Sequence, residues 1–177
     1  QKLTKIKGIT ARRMQHSWQT IPHVTQFDSA DITDLQAYRR KLNKGIINKK
    51  IKLTFLPFFM KTMARLLKEK PTFNSSLDHK EENLIFKHYF HLGVAVDTPA
   101  GLMVPVVRDV DQKNIIEIAA ELNDLSQRAR NKKLKPSELK GATFTISSLG
   151  GIGGTFFTPI IDPPQVAILG ISESGWQ

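Results

Sequence analysis

The 177 residues contain no cysteine. Disulfides, thiolate metal sites and a cysteine nucleophile are therefore excluded together. The absence suits a reducing compartment, and any thiol chemistry must use thiols carried in by substrates. No apolar run approaches the roughly 18 residues that span a bilayer. The opening Gln1-Lys-Leu-Thr-Lys-Ile-Lys-Gly8 lacks both the apolar stretch of a signal peptide and an initiator methionine, so it reads as the interior of a longer chain. Acidic residues are few, 16 against 26 basic ones, which leaves a net charge of +10. Such an excess suits nucleic acid, an anionic surface or a phosphorylated ligand. The basic residues (Arg12-Arg13, Arg39-Arg40-Lys41, Lys49-Lys50 and those in 128–135) are spread, however. They are not interleaved with aromatics as stacking platforms would be, and most read as solvated helix faces. Internal repeats and low-complexity tracts are missing as well.

What is present fits one domain, since a chain of this length hides roughly 70% of its unfolded surface. A helix is predicted over 9–20, entered through Gly8 and Thr10, then a strand over 21–27 with Pro22 near its start. The turn at 28–31 caps a helix whose apolar stripe is Ile32, Leu35, Tyr38 and Leu42, with Arg39, Arg40 and Lys41 opposite. Thr54 and Pro57 open the clearest helix. Leu56, Phe59, Met60, Met63, Leu66 and Leu67 recur along it, and Pro71 stops it. Residues 72–77 form a polar connection and 78–83 a charged turn. From Leu84 to Val96 the period becomes two, which predicts one long strand, followed by a turn at 97–101 and a second strand at 102–107. His88 and His91, three apart on a strand, face opposite sides and cannot share a metal ion. Asp111 is placed to cap a helix with Ile115, Ile118, Ala119, Leu122, Leu125 and Ala129 inward. A basic turn lies around Pro136. Pro159, Pro163 and Pro164 stiffen a connection into a buried strand over 165–171.

Residues 143–155 hold the most informative stretch. Thr143, Thr145 and Ser147 alternate with Phe144, Ile146 and Ser148, and the strand runs into Gly150, Gly151, Gly153 and Gly154. It is not a phosphate loop, because Thr155 follows glycine and not lysine. The dinucleotide spacing fails, since Gly151 and Gly153 lead to Phe156. A nucleophile elbow needs glycine two before the serine, where Ser148 has Ile146. By residue type alone, a strand ending in a glycine turn with two solvent-bonded serines describes the stretch equally well.

Several motifs stand in a recognisable order: Ile21-Pro-His-Val-Thr with Asp31-Ile-Thr-Asp-Leu, Phe73-Asn-Ser-Ser-Leu, Gly93-Val-Ala-Val-Asp-Thr-Pro-Ala-Gly-Leu102 with Val104-Pro-Val, Phe144-Thr-Ile-Ser-Ser-Leu-Gly-Gly-Ile-Gly-Gly-Thr155, and Pro164-Gln-Val-Ala-Ile-Leu-Gly170. Together they resemble the catalytic domain of the dihydrolipoamide acyltransferases, the core subunits of 2-oxoacid dehydrogenase complexes. The likeness covers essentially the whole chain, and in detail it is similar to the pyruvate branch. It implies an α/β fold like that of chloramphenicol acetyltransferase: a mixed β-sheet with flanking helices, assembled as trimers that build a hollow cage, with active sites between subunits. It implies that a single catalytic domain fills 1–177, with the lipoyl and subunit-binding modules elsewhere. The reaction implied moves an acetyl group between a dihydrolipoyl thiol and coenzyme A. Both act as substrates, and no metal is expected.

By the same resemblance a histidine acts as general base, and Ser147, matched within Phe-Thr-Ile-Ser, stabilises the oxyanion. Ser148 is the less favoured candidate. The histidine belongs to an Asp-His-Arg-x-x-Asp/Asn-Gly motif expected beyond Gln177. None of His16, His23, His79, His88 and His91 carries an acidic residue four positions later. The 177 residues alone are therefore expected to be almost inactive, and His23 reads as structural. Arg39 and Arg40 are the candidates for the coenzyme A phosphates, with Asn74, Ser75 and Asp97 as further candidates near the channel; a solvated arginine or a turn-capping polar group is the alternative reading of each. The partners implied are other copies of the chain and the decarboxylase and dihydrolipoamide dehydrogenase components, with no nucleic acid and no membrane. The bacterial cytoplasm is favoured over the mitochondrial matrix. A non-catalytic core or anchoring homologue, and more distantly a basic nucleic-acid module, are the alternatives.

Overall fold

The computed structural model describes residues 3–45, 51–78 and 80–175. His79, Lys49 and Lys50, named above, lie outside the described residues, as do positions 1–2 and 176–177. Helix α1 spans Lys5–Thr20 and α2 spans Thr33–Gly45; α3 spans Leu56–Glu69 and α4 spans Ile115–Arg130. Among the described residues six short strands accompany them: β1 (Ser75–Leu77), β2 (Leu84–Phe86), β3 (Leu92–Val94), β4 (Val106–Val107), β5 (Phe144–Ser148) and β6 (Ile168–Ile171).

The core sheet is mixed, in the order β4-β3-β5-β6. Strands β3 and β4 are antiparallel, whereas β3–β5 and β5–β6 are parallel. Helices α3 and α4 cover one face, where Met60, Leu67, Ile118 and Leu122 meet Leu92, Val94, Phe144 and Ile146. Each such side chain fully removed from water contributes about 1.5–3 kcal/mol. The expected mixed sheet with flanking helices is what forms. Strands β1 and β2 make a separate antiparallel hairpin.

The helices follow their stripes, with shifted ends. The Thr4 hydroxyl accepts the Lys7 amide, so α1 begins a turn before the predicted entry and takes Gly8 into its body. On α3, Phe55 and not Thr54 is the N-cap, and the buried positions are Pro57, Phe58, Met60, Ala64 and Leu67, while Leu66 is exposed. Asn114 caps α4 in place of Asp111, its side chain accepting the Ile116 and Glu117 amides while Glu117 reaches back.

Two strand predictions are corrected. Residues 21–27 form no strand, because no neighbour offers a ladder; Val24 is 90% exposed. The run from Leu84 to Val96 is not one strand but two, in different sheets. The Asn74 amide group donates to the carbonyls of Lys87 (2.7 Å) and Tyr89 (3.1 Å), which takes both away from any ladder at the break.

Candidate functional site

Strand β5 lies between β3 and β6, and its alternation divides its side chains. Phe144 and Ile146 enter the helix-covered core, and Ser148 shares their face. Thr145 and Ser147 occupy the other face. Thr145 is buried and donates to Gln165 Oε1 at 2.6 Å, while Ser147 is half-buried and stands in register with Gly170. Among the described residues no side-chain hydrogen bond engages the Ser147 hydroxyl. That face is closely covered. A Cβ on Gly170 would sit 2.9 Å from the Phe157 ring, and one on Gly93 would sit 2.9 Å from Thr145 Oγ1.

Beyond Ser148 the chain turns tightly. The amides of Ile152 and Gly153 both donate to the Leu149 carbonyl, and Gly153 and Gly154 take φ of 96° and 115°, where a side chain would be strained. The Ser148 oxygen accepts the Gly150 amide at 3.5 Å, a weak contact. The turn forms one wall of an open groove of about 2160 Å³, whose other walls come from residues 21–33, the start of α3 and residues 166–175.

This groove brings some of the sequence candidates together and leaves others out. Arg39, Asp97 and Ser148 line it; Ser147, Arg40, Asn74 and Ser75 do not. Arg39 is no solvated surface residue. Its guanidinium stacks 4.4 Å from the Phe55 ring centre and donates to the Leu53 carbonyl at 3.3 Å, and its buried Nε has no partner among the described residues. Arg40 is exposed. The side chains of Asn74 and Ser75 are already engaged with backbone. Both are buried; Asn74 holds the carbonyls named above and Ser75 donates to the Thr72 carbonyl at 2.7 Å. Their donors hold the approach to the β1–β2 hairpin.

Sequence reasoning missed the buried Thr145–Gln165 pair, although the alternation already placed Thr145 on the Ser147 face. It also missed what His23 does. His23 Nε2 accepts the Ile161 amide at 3.0 Å, and Nδ1 lies 2.9 Å from the Ile21 carbonyl. An amide can only donate, so the ring is neutral with its proton on Nδ1. Both nitrogens are engaged with backbone, which supports the structural reading and rules out a base in this conformation. Nearby, burial pushes the Asp162 carboxyl up, opposed by the Arg13 guanidinium at 2.5 Å. His91 is pushed down by burial, and its Nδ1 accepts the Asp109 amide. Among the described residues no three His, Asp or Glu side chains converge as metal ligands would.

The spacing Asp78-His79 with Asn83 echoes part of the histidine motif of the acyltransferases. Lys80 and Leu84 stand where that motif has arginine and glycine, and the Asn83 amide already donates to the Asp78 carboxylate at 2.7 Å.

Comparison with known proteins adds to this geometry. The family model for 2-oxoacid dehydrogenases acyltransferase (catalytic domain) matches residues 1–175. The chain is 52% identical over 175 residues to the dihydrolipoyllysine-residue acetyltransferase component of the pyruvate dehydrogenase complex of Pseudomonas aeruginosa, covering 99% of this chain and 32% of that protein. With the corresponding component of Azotobacter vinelandii it shares 53% over 176 residues, covering 99% of this chain and 27% of the relative. The chain thus spans about a third or less of these curated relatives. It superposes with a TM-score of 0.98 and 51% identity on a solved dihydrolipoamide acetyltransferase from Azotobacter vinelandii, described as an investigation of a serine, a histidine and an asparagine in its catalytic mechanism; all of this chain and 73% of that one are covered. A structure described as the cubic core of the pyruvate dehydrogenase multienzyme complex matches with the same TM-score, identity and coverage. A truncated catalytic core from Thermoplasma acidophilum, 36% identical, superposes with a TM-score of 0.91 over 98% of this chain and 79% of that one.

Proposed function

This chain belongs to the 2-oxoacid dehydrogenase acyltransferase family, as a catalytic domain, and from that premise we propose that it transfers acetyl groups between a dihydrolipoyl arm and coenzyme A. The attacking thiol loses its proton to a histidine of the family motif, carried by polypeptide outside these 177 residues. The thiolate adds to the thioester carbonyl, and the tetrahedral oxyanion collapses to expel the other thiolate, which takes the proton back. The Ser147 hydroxyl donates to that oxyanion. Both sulfurs arrive with substrates, in keeping with a chain that has none of its own in cysteine.

The observation that carries this reading is the position of Ser147: the serine of Phe-Thr-Ile-Ser, half-buried on the face away from the helices. The related structure's named serine supports it. Ser147 lies outside the open groove described above because, in this reading, the site lies between subunits and a neighbouring copy supplies the opposite wall. The chain accordingly forms trimers and a cage, works with the decarboxylase and dihydrolipoamide dehydrogenase components, and resides in the bacterial cytoplasm. For coenzyme A the reading keeps Arg39, Arg40 and Asp97.

Ser147→Ala, made in an acyltransferase chain that carries the histidine, lowers kcat about 100- to 1,000-fold, roughly 3 kcal/mol, as loss of one oxyanion donor does. Ser148→Ala stays within about threefold, because its hydroxyl faces the other way. Steady-state kinetics of both variants decides the matter, and a loss confined to Ser148→Ala overturns the assignment. Charge reversal of Arg39 and Arg40 together raises the apparent constant for coenzyme A and leaves that for the lipoyl substrate. Equal constants for wild type and variant leave Arg39 with its contacts to Phe55 and Leu53 and return Arg40 to the solvated class.

A further inference from the structure

Residues 157–165 form a strap across the sheet face that carries Ser147. At one end Phe157 and Pro159 press on Gly170, which stands in register with Ser147. At the other, the Gln165 amide closes a turn onto the Asp162 carbonyl, and the Gln165 side chain accepts the Thr145 hydroxyl two residues before Ser147. Gln165 and Thr145 are 6% and 3% exposed, so this bond is shielded from water and holds the strand firmly. The strap thus touches the residue paired with Ser147 on β6 and the residue two before it on β5.

The middle of the strap is held from the far end of the sequence. The Ile161 amide goes to His23 Nε2 at 3.0 Å, and the Ile161 carbonyl accepts the hydroxyl of Ser17, itself fully buried. Arg13 donates to the Pro163 carbonyl at 3.3 Å and pairs with Asp162. Among the described residues every side-chain tie to 161–163 comes from α1 or the residues just after it. Of these ties only His23 satisfies the amide of the half-buried Ile161, and it can do so only as the neutral ring with Nδ1 protonated.

We infer that His23 is a positioning residue for Ser147, acting through the strap: its Nε2 fixes Ile161, and the strap fixes the strand that aims the serine hydroxyl. The inference rests on the oxyanion reading of Ser147. It assigns His23 no contact with substrate. The sequence separation of 138 residues between His23 and Ile161 hides the link from any local motif.

The test uses the full, assembled acyltransferase and four variants: His23→Gln, His23→Asn, Ser147→Ala and the double variant His23→Asn with Ser147→Ala. A glutamine at 23 places an acceptor where Nε2 was, whereas asparagine reproduces only the Nδ1 side. His23→Asn is expected to lower kcat about tenfold with the KM for coenzyme A unchanged, as sub-ångström misplacement of a catalytic group does. His23→Gln recovers to within about twofold of wild type, and in the Ser147→Ala background His23→Asn changes kcat by less than about twofold, because coupled residues are not additive. Equal kcat for the asparagine and glutamine variants overturns the inference, as does full multiplication of the losses in the double variant. Should His23→Asn fail to assemble, Ser17→Ala, which frees only the Ile161 carbonyl, takes its place; an unchanged kcat there also overturns it. Failure of the underlying reading is visible separately, as a wild-type rate for Ser147→Ala alone.

Discussion

At the scale of the residue, electrostatics offers a test independent of catalysis. Glu138 accepts from Arg128 at 2.8 Å and from the Lys135 amide at 2.7 Å. These bonds, the arginine's first, hold its carboxyl down to about 2 from an ordinary 4.5. A depressed folded value means stability that is present above the unfolded value and lost as pH falls through the folded one. Urea midpoints of wild type and Glu138→Gln should therefore differ most near neutral pH, with the gap closing between about pH 4.5 and 2. A gap that widens on acidification contradicts the ion-pair account. Alternation along β5 was enough to separate Ser147 from Ser148 from the letters alone. The roles of Arg39, Asn74 and Ser75 were not legible, because charge and polarity do not reveal which backbone groups a side chain holds. That Asn74 holds the carbonyls of Lys87 and Tyr89 is visible only in the structure.

At the scale of the element, the helices were legible and the strands only partly. Stripes such as Met60 with Leu67, or Ile118 with Leu122, describe a face that must be buried whatever covers it. A period of two carries no such guarantee, since a strand exists only where a neighbour supplies a ladder. The residues at 21–27 alternate without one, and 84–96 alternates across a break. Lys61 on α3 shows another contact that periodicity cannot reveal. Its ammonium donates to the carbonyls of Asp111 (2.9 Å) and Lys113 (2.7 Å) and lies 3.4 Å from that of Val110. Lys61→Met keeps the stem and removes the donor. It should cost about 2 kcal/mol from the orphaned carbonyls, which at this chain length lowers the melting temperature roughly 4–8 °C. Calorimetry measures this directly, and an unchanged melting temperature would show the carbonyls to be satisfied by water.

At the scale of the whole molecule, the order of the motifs sufficed to identify the family, which the matches over 175 and 176 residues bear out. Sheet order was not readable, because β3 pairs with both a near neighbour and a strand some fifty residues on. The catalytic reading makes a demand on the full protein: residues 1–177 assayed alone should transfer acetyl about 100- to 10,000-fold more slowly than a chain carrying the histidine. Comparable rates would mean that a base among these residues has been overlooked. The clamp on the strap has a consequence for biosynthesis. Its ties join positions 138 to 150 residues apart, so at about 5–20 residues per second on the ribosome the first helix waits roughly 7–30 s for the segment it must grip. Through that interval the Ser17 hydroxyl and His23 Nε2 lack their partners on Ile161, and a nascent chain nicked within its first turns would complete a well-packed sheet while losing its grip on the strap beside Ser147.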